Sequence, residues 1–272
     1  MPFIFKVPPP SVGFNLSTAV YNNVSFNISN QETSPAGVTF NNDGTRMYIA
    51  GFLDDTVFQY DLSTGFDVST AVYNNVSFYV GNQTPLTDNL AFNNDGTRMY
   101  IAGVQGVIYQ YNLSTGFDLS TATTTGFVSF SATNQDGSAM GLAFNNNGTI
   151  MYILGNNNDI VHQYDLSTGF NISTATYNNV NFYVGNQDTD VHTVIFNNDG
   201  TRMYIAGVST NTIFQYDLST GFDLSTATTT GIVSFNLGQT TTNPWGLAFN
   251  NDGTRMYAID FNHTILYQYD LT

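Results

Sequence analysis

Phe40-Asn41-Asn42-Asp43-Gly44-Thr45-Arg46-Met47-Tyr48 decides the fold, because the chain writes this block five times. It returns as Phe92 to Tyr100, Phe144 to Tyr152, Phe196 to Tyr204 and Phe249 to Tyr257, at Phe-to-Phe spacings of 52, 52, 52 and 53 residues. A fixed period near fifty, filled with short alternating apolar runs and turn residues, marks a repeat architecture in which each unit buries its faces against its neighbours.

Outward from the block, each unit divides into strand candidates. In the first unit these are Gly37 to Phe40, Arg46 to Ala50, Thr56 to Tyr60 and Val72 to Val80. Asn42-Asp43-Gly44 makes the first tight turn, with glycine at the left-handed position and Asx side chains bonding locally. Asp61-Leu62-Ser63-Thr64-Gly65-Phe66-Asp67 makes the corner between the third and fourth strands. No window carries the 3.6-residue period of an amphipathic helix, so the chain reads as all-β. Its phase then sets the topology. The chain opens on a fourth strand, Phe14 to Ile28, and closes on a third, Ile265 to Tyr269. The expectation is a five-bladed β-propeller of four-stranded antiparallel blades, its ring closed by an N-terminal strand completing the C-terminal blade. Residues 1–13 form an N-terminal arm and 14–272 a single domain. Within it, 14–35 hold the outer strand of the composite blade, 36–80, 88–131, 140–184 and 192–237 blades one to four, and 245–272 the rest of the composite.

The Phe-Asn-Asn-Asp-Gly-Thr-Arg-Met-Tyr-Ile-Ala-Gly run resembles the blade repeats of the YVTN and lactonase-like propeller superfamily, where an apolar strand, an Asp-Gly turn and a Tyr-Val strand recur. The resemblance covers residues 14 to 272 and implies the fold. The superfamily includes enzymes, binding modules and surface proteins, so it implies no single activity. The five-blade count is similar to that of tachylectin-type lectins, whose sugar-binding residues have no match here.

Composition narrows the partners. Five basic against twenty acidic residues give a net charge of −15, which repels phosphate backbones and disfavours nucleic acid and anionic membranes. Without cysteine there are no disulfides or thiolate metal sites. No apolar run approaches the roughly 18 residues of a membrane-spanning helix, and the first ten residues lack the apolar stretch of a secretory signal.

Repeats within one chain can be compared with each other. The first-to-second turn and the third-to-fourth corner hardly vary, and they share one face of a propeller. The second-to-third and fourth-to-first connections vary, and they share the other. Divergence confined to one rim fits loops specialised for contact on a rigid scaffold, though relaxed drift would look the same. That rim supplies the candidate ligand-binding residues Trp245, Asp188, Asp190, His192, Asp260, His263, Asp54, Asp55, Glu32 and Asp88. Trp245 stands where no other unit has tryptophan, so it reads as a sugar-stacking residue or as packing beneath the rim. Hydrolysis would need a metal or a carboxylate pair, and Asp188, Asp190, His192, Asp260 and His263 come from only two blades. His162 lies within a third strand and reads as packed. One Asp per turn is too few for a calcium cage of roughly 6–8 oxygens, so no cofactor is expected. In the third unit Asp and Arg of the turn are both lost, as Asn147 and Ile150, which suggests an Asp43–Arg46 ion pair across the turn.

Phe3, Ile4 and Phe5 ahead of Pro8-Pro9-Pro10 read as an apolar anchoring tip on a stiff stalk. The functional expectation is a non-enzymatic binding or structural module on an extracellular or virion surface, such as phage tail or capsid decoration, contacting a host glycan or other structural proteins through the variable rim. A secreted or cell-surface lectin or coat-assembly protein is the alternative, and a lactonase-like hydrolase the third reading.

Overall fold

The structure, a computed structural model, describes residues 13–238 and 240–272, so the anchoring tip Phe3, Ile4 and Phe5 lies outside the described residues. The chain begins with β1 (Val20–Asn27) and then lays down four sheets in order. Blade one is β2 (Pro35–Phe40), β3 (Arg46–Gly51), β4 (Thr56–Leu62) and β5 (Ala71–Tyr79). Blade two is β6 (Thr87–Phe92), β7 (Arg98–Gly103), β8 (Val107–Leu113) and β9 (Ala122–Ser131). Blade three is β10 (Ala139–Phe144), β11 (Ile150–Gly155), β12 (Ile160–Leu166) and β13 (Ala175–Tyr183). Blade four is β14 (Val191–Phe196), β15 (Arg202–Gly207), β16 (Thr212–Asp217) and β17 (Val233–Asn236). The last three strands, β18 (Pro244–Phe249), β19 (Arg255–Asp260) and β20 (Ile265–Asp270), take β1 as their fourth, in the order β1-β20-β19-β18. The molecule is therefore a five-bladed propeller whose last blade is built from both ends of the chain. No helix of the described residues is long and apolar enough to cross a membrane.

Local chemistry explains the unit. In the first turn Asp43 accepts from the Thr45 amide at 3.0 Å and its hydroxyl at 2.6 Å, while Gly44 takes φ 71°. A Cβ on Gly44 would lie 2.3 Å from the Phe66 ring, so glycine is required by space as well as by φ. Phe66 itself is left-handed (φ 62°), as are Phe14, Phe117, Phe170 and Phe222 at the other corners. A single 3-10 turn follows each corner, capped in the first unit by Asp67, whose carboxylate accepts from the Ser69 amide. This turn shortens the opening strand. It runs over Val20–Asn27 rather than from Phe14, because Phe14 is the corner and Leu16–Thr18 the 3-10 turn.

Each blade packs face to face on the next. One apolar cluster joins Tyr257, Ile259 and Leu266 of the fifth blade to Met47, Ile49 and Tyr60 of the first, and four equivalent clusters complete the circuit. Three closed hydrogen-bond rings run around the same circuit. The Asn42 carboxamide donates to the Asn94 carbonyl, Asn94 to Asn146, Asn146 to Asn198, Asn198 to Asn251 and Asn251 back to Asn42, at 2.5 to 2.8 Å. Tyr48, Tyr100, Tyr152, Tyr204 and Tyr257 each donate a hydroxyl to the corner carbonyl of the next blade, at Phe117, Phe170, Phe222, Phe14 and Phe66. Gln59, Gln110, Gln163, Gln215 and Gln268 each accept from the amide opening the next blade's 3-10 turn, at 3.0 to 3.3 Å. Each bond contributes about 0.5–1.5 kcal/mol net.

The turn arginine also looks outward to the next blade. Arg46 donates to the Phe117 carbonyl at 2.8 Å and sits 3.8 Å from Asp61. The expected Asp43–Arg46 ion pair is therefore replaced by contacts across the blade junction and across β3 and β4. Asn147 in the third unit keeps the same two bonds to Thr149 that Asp43 makes to Thr45, which needs no charge.

Candidate functional site

The two faces divide as the repeats imply, with the variable loops of each blade touching one another. The second residue of each inner strand stands at the variable mouth of the channel: Ala36, Asp88, Met140, His192 and Trp245. The third is Gly37, Asn89, Gly141, Thr193 and Gly246, and the three glycines leave room for two polar side chains. Asn89 donates to Thr193 Oγ1 at 3.3 Å, from blade two to blade four. One layer above, His192 Nδ1 lies 3.1 Å from Asp88 and Nε2 3.1 Å from Asp190. Asp88 and His192 are 1 % and 3 % exposed. Burial opposes a charged imidazole, but Asp88 and Asp190 outweigh it and push His192 up to about 9. Burial likewise pushes the Asp88 carboxyl up, with His192 drawing it back. The His192 hydrogen bond holds Asp190 below the usual carboxylate range.

The His192 imidazole also takes part in an aromatic stack. Its ring stacks on Trp245 at 4.0 Å, and Trp245 stacks on Phe261 at 3.8 Å, with Phe52 edge-on at 4.9 Å. A cation over an indole face is an attractive pairing. Both faces of Trp245 are therefore covered, and its Nε1 donates to Asn243 at 2.8 Å. Phe52 and Phe261 carry no mention among the candidate residues of the sequence, yet they complete this stack. They occupy the first loop position after the second strand, where the other blades have Val104, Asn156 and Val208. Aromatics at this position in only two adjacent blades are the signal that points to them.

Most of the rim acids hold backbone. Asp188 accepts from the amides of Asp190, Ser209 and Thr210 and from the Thr210 hydroxyl. Asp260 accepts from the amides of Thr242, Asn262 and His263 and from His263 Nδ1 at 2.8 Å. Glu32 accepts from the Ser34 amide at 2.7 Å, and burial pushes its carboxyl up. Asp55 reaches into the next blade's loop to accept from the Leu86 amide at 2.6 Å.

A size rule underlies these clamps. Glu32, Asp136 and Asp188 each lie over the glycine ending the second strand of their blade: Gly51, Gly155 and Gly207. A Cβ on Gly51 would meet Glu32 at 1.8 Å, and one on Gly207 would meet Asp188 at 2.5 Å. In the fifth blade the pair is reversed: the acid is Asp260 at the strand end, and Thr241 takes the loop position. In these four blades one carboxylate occupies one slot, from either side, whereas in blade two Thr84 lies over Gly103 and no acid fills it.

Exposed residues stand on the rim of every blade, Gln105, Asn157, Ser209 and Thr210 among them, and blades five and one add an apolar one. Leu53 is 59 % exposed, the His263 side chain 57 %, and Asp54 and Asn262 stand beside them. The Asp190 carboxylate, 43 % exposed, borders the mouth and accepts from Asn156 at 3.1 Å. Asp188 and Asp260 do not converge, and among the described residues no three His, Cys, Asp or Glu side chains are grouped to hold a metal ion. His162 is packed in β12 with both ring nitrogens unpartnered, and burial pushes its pKa down.

No protein-family model and no curated protein matches this chain.

Proposed function

We propose that this propeller is a non-enzymatic binding and structural module of an exposed surface, contacting a glycan through the variable rim. The observation that carries this reading is the division of labour on that rim. Buried carboxylates and the His192–Trp245–Phe261 stack fix the loops, and the rigid frame presents Leu53, Asp54, Asn262 and His263 outward. Mixed apolar and polar groups on a pre-ordered surface suit the C–H faces and hydroxyls of a sugar, since little ordering entropy is lost on contact. Carboxylates engaged by backbone amides are poor general bases, which weighs against the lactonase-like reading that the blade repeats suggest.

The setting we propose is a virion, as tail or capsid decoration, and a cysteine-free, lysine-poor, strongly acidic surface suits it. The test is a broad glycan and bacterial-polysaccharide array, with and without calcium. Wild type binds a defined set, and the double variant Leu53→Ser with Asn262→Ala loses it at unchanged Tm. Absence of binding across the array refutes glycan recognition.

A further inference from the structure

The opposite face holds a second candidate site. The central channel opens there as a pit of about 300 Å³ that reaches Asn89 at its floor. Leu90, Leu142 and Leu247 line its walls, and Asn42, Asn198 and Asn251 its mouth.

The hydrogen bonds fix how these carboxamides point. Each Asn of the mouth ring donates its nitrogen to the next blade's carbonyl, which can only accept, so no amide of the ring can be reversed. The Oδ1 atoms are left without a protein donor. The floor obeys the same logic. Thr193 donates its hydroxyl to the Trp245 carbonyl at 2.5 Å, so it must accept from Asn89 Nδ2, and Asn89 Oδ1 is left free. Asn89 is 7 % exposed and lines the pit, so a ligand entering it meets an acceptor that no protein donor occupies. Around the mouth, the residue after each ring asparagine is Asp43, Asp95, Asp199 or Asp252 in four of the five turns. The turn arginines Arg46, Arg98, Arg202 and Arg255 are engaged at the next blade's corner carbonyl. The pit thus offers acceptors at both ends and apolar walls between them. Because the four turn arginines match the four turn aspartates, the corner acids such as Asp61, Asp118, Asp165 and Asp217 leave this face net negative.

We propose that the pit binds a primary alkylammonium group, its N–H donors on Asn89 Oδ1 and its methylenes along Leu90, Leu142 and Leu247. A donor at the other end of the same chain meets the asparagine ring. Two sources present this chemistry, a free alkyl diamine and a lysine side chain of another protein.

The probes are 1,5-diaminopentane, Nα-acetyl-lysine N-methylamide and the uncharged 1,5-pentanediol, titrated into the full chain at pH 7 and followed by calorimetry and NMR. Saturable binding of an ammonium probe is expected, at least tenfold tighter than the diol, with intermolecular NOEs to the methyl groups of Leu90, Leu142 and Leu247. The tighter of the two ammonium probes identifies the source. Asn89→Leu keeps the size of the floor residue, removes its acceptor and abolishes the NOEs. Should that variant fail to fold, the wild-type NOE map decides alone. No saturable binding, equal binding of the diol, or NOEs confined to other methyl groups overturns the proposal.

Discussion

Raising the pH from 7 to 10 should unlock the variable mouth, and the only tryptophan of the chain is placed to report it. His192 is pushed up to about 9 from an ordinary value of 6.5. A pKa raised on folding means that the folded state holds the proton more tightly. The resulting stability is fully present below about 6.5 and is lost as pH climbs through about 9. A difference of about 2.5 in pKa corresponds to about 3 kcal/mol at most, at 1.36 kcal/mol per unit. The burial cost of Asp88 lowers that total at every pH where it is charged, and leaves the slope through pH 9 to the imidazolium. Trp245 lies 4.0 Å from the His192 ring, and a stacked imidazolium quenches an indole more strongly than neutral imidazole does. Emission excited at 295 nm should rise with a midpoint near 9, and His192→Gln should flatten it. The urea midpoint should fall further between pH 7 and 9 in wild type than in that variant, since the buried tyrosines, also pushed up, lower it in both as pH nears 10. Emission that stays constant from pH 7 to 10, or a midpoint at 6.5, refutes a charged, doubly paired His192.

The slot shared by strand-end glycine and loop acid predicts a rescue. Asp260→Gly should cost about 1–3 kcal/mol by removing the acceptor of three part-buried amides and of His263, and adding Thr241→Asp should restore most of it, both read from urea unfolding. If the double variant is no more stable than Asp260→Gly, the slot is not interchangeable. The asparagine ring predicts equality across the seam: Asn251→Ala, which cuts the link from blade five to blade one, and Asn94→Ala, which cuts an interior link, should each cost about 0.5–1.5 kcal/mol. A seam variant more than twice as costly in chemical denaturation would mean that the closing junction differs from the others.

Blade number, strand order and closure were legible because Phe40 and its copies recur at one period and the chain starts one strand out of phase. What was harder to read crosses from one blade to another. Asn42 looks like turn chemistry within its own unit, and only the ring shows that its amide belongs to the next. Arg46 and Asp43 vanish together in the third unit, yet Arg46 serves Phe117, which no comparison within a unit could locate. The acid clamps were present in the text. Glu32 with Gly51, Asp136 with Gly155 and Asp188 with Gly207, against Thr241 with Asp260, shows the acid changing sides in the sequence itself, and only the blade-two pair, Thr84 with Gly103, lacks it. The His192–Asp88 bridge was not, because two residues 104 positions apart meet only where the channel brings blades two and four together.

The composite blade has a mechanical consequence. Val20 pairs with Asp270 and Asn27 with Ile265, so the leading end of β1 and the trailing end of β20 leave the sheet at the same edge. Tension applied between Gly13 and Leu271 therefore opens that pair as a zipper, one rung at a time, instead of loading its hydrogen bonds together in shear. A molecule held by a single end transmits no such load, and its ring stays shut under drag. Held by both ends, the same ring is a latch that opens at low force and closes again when the tension is released.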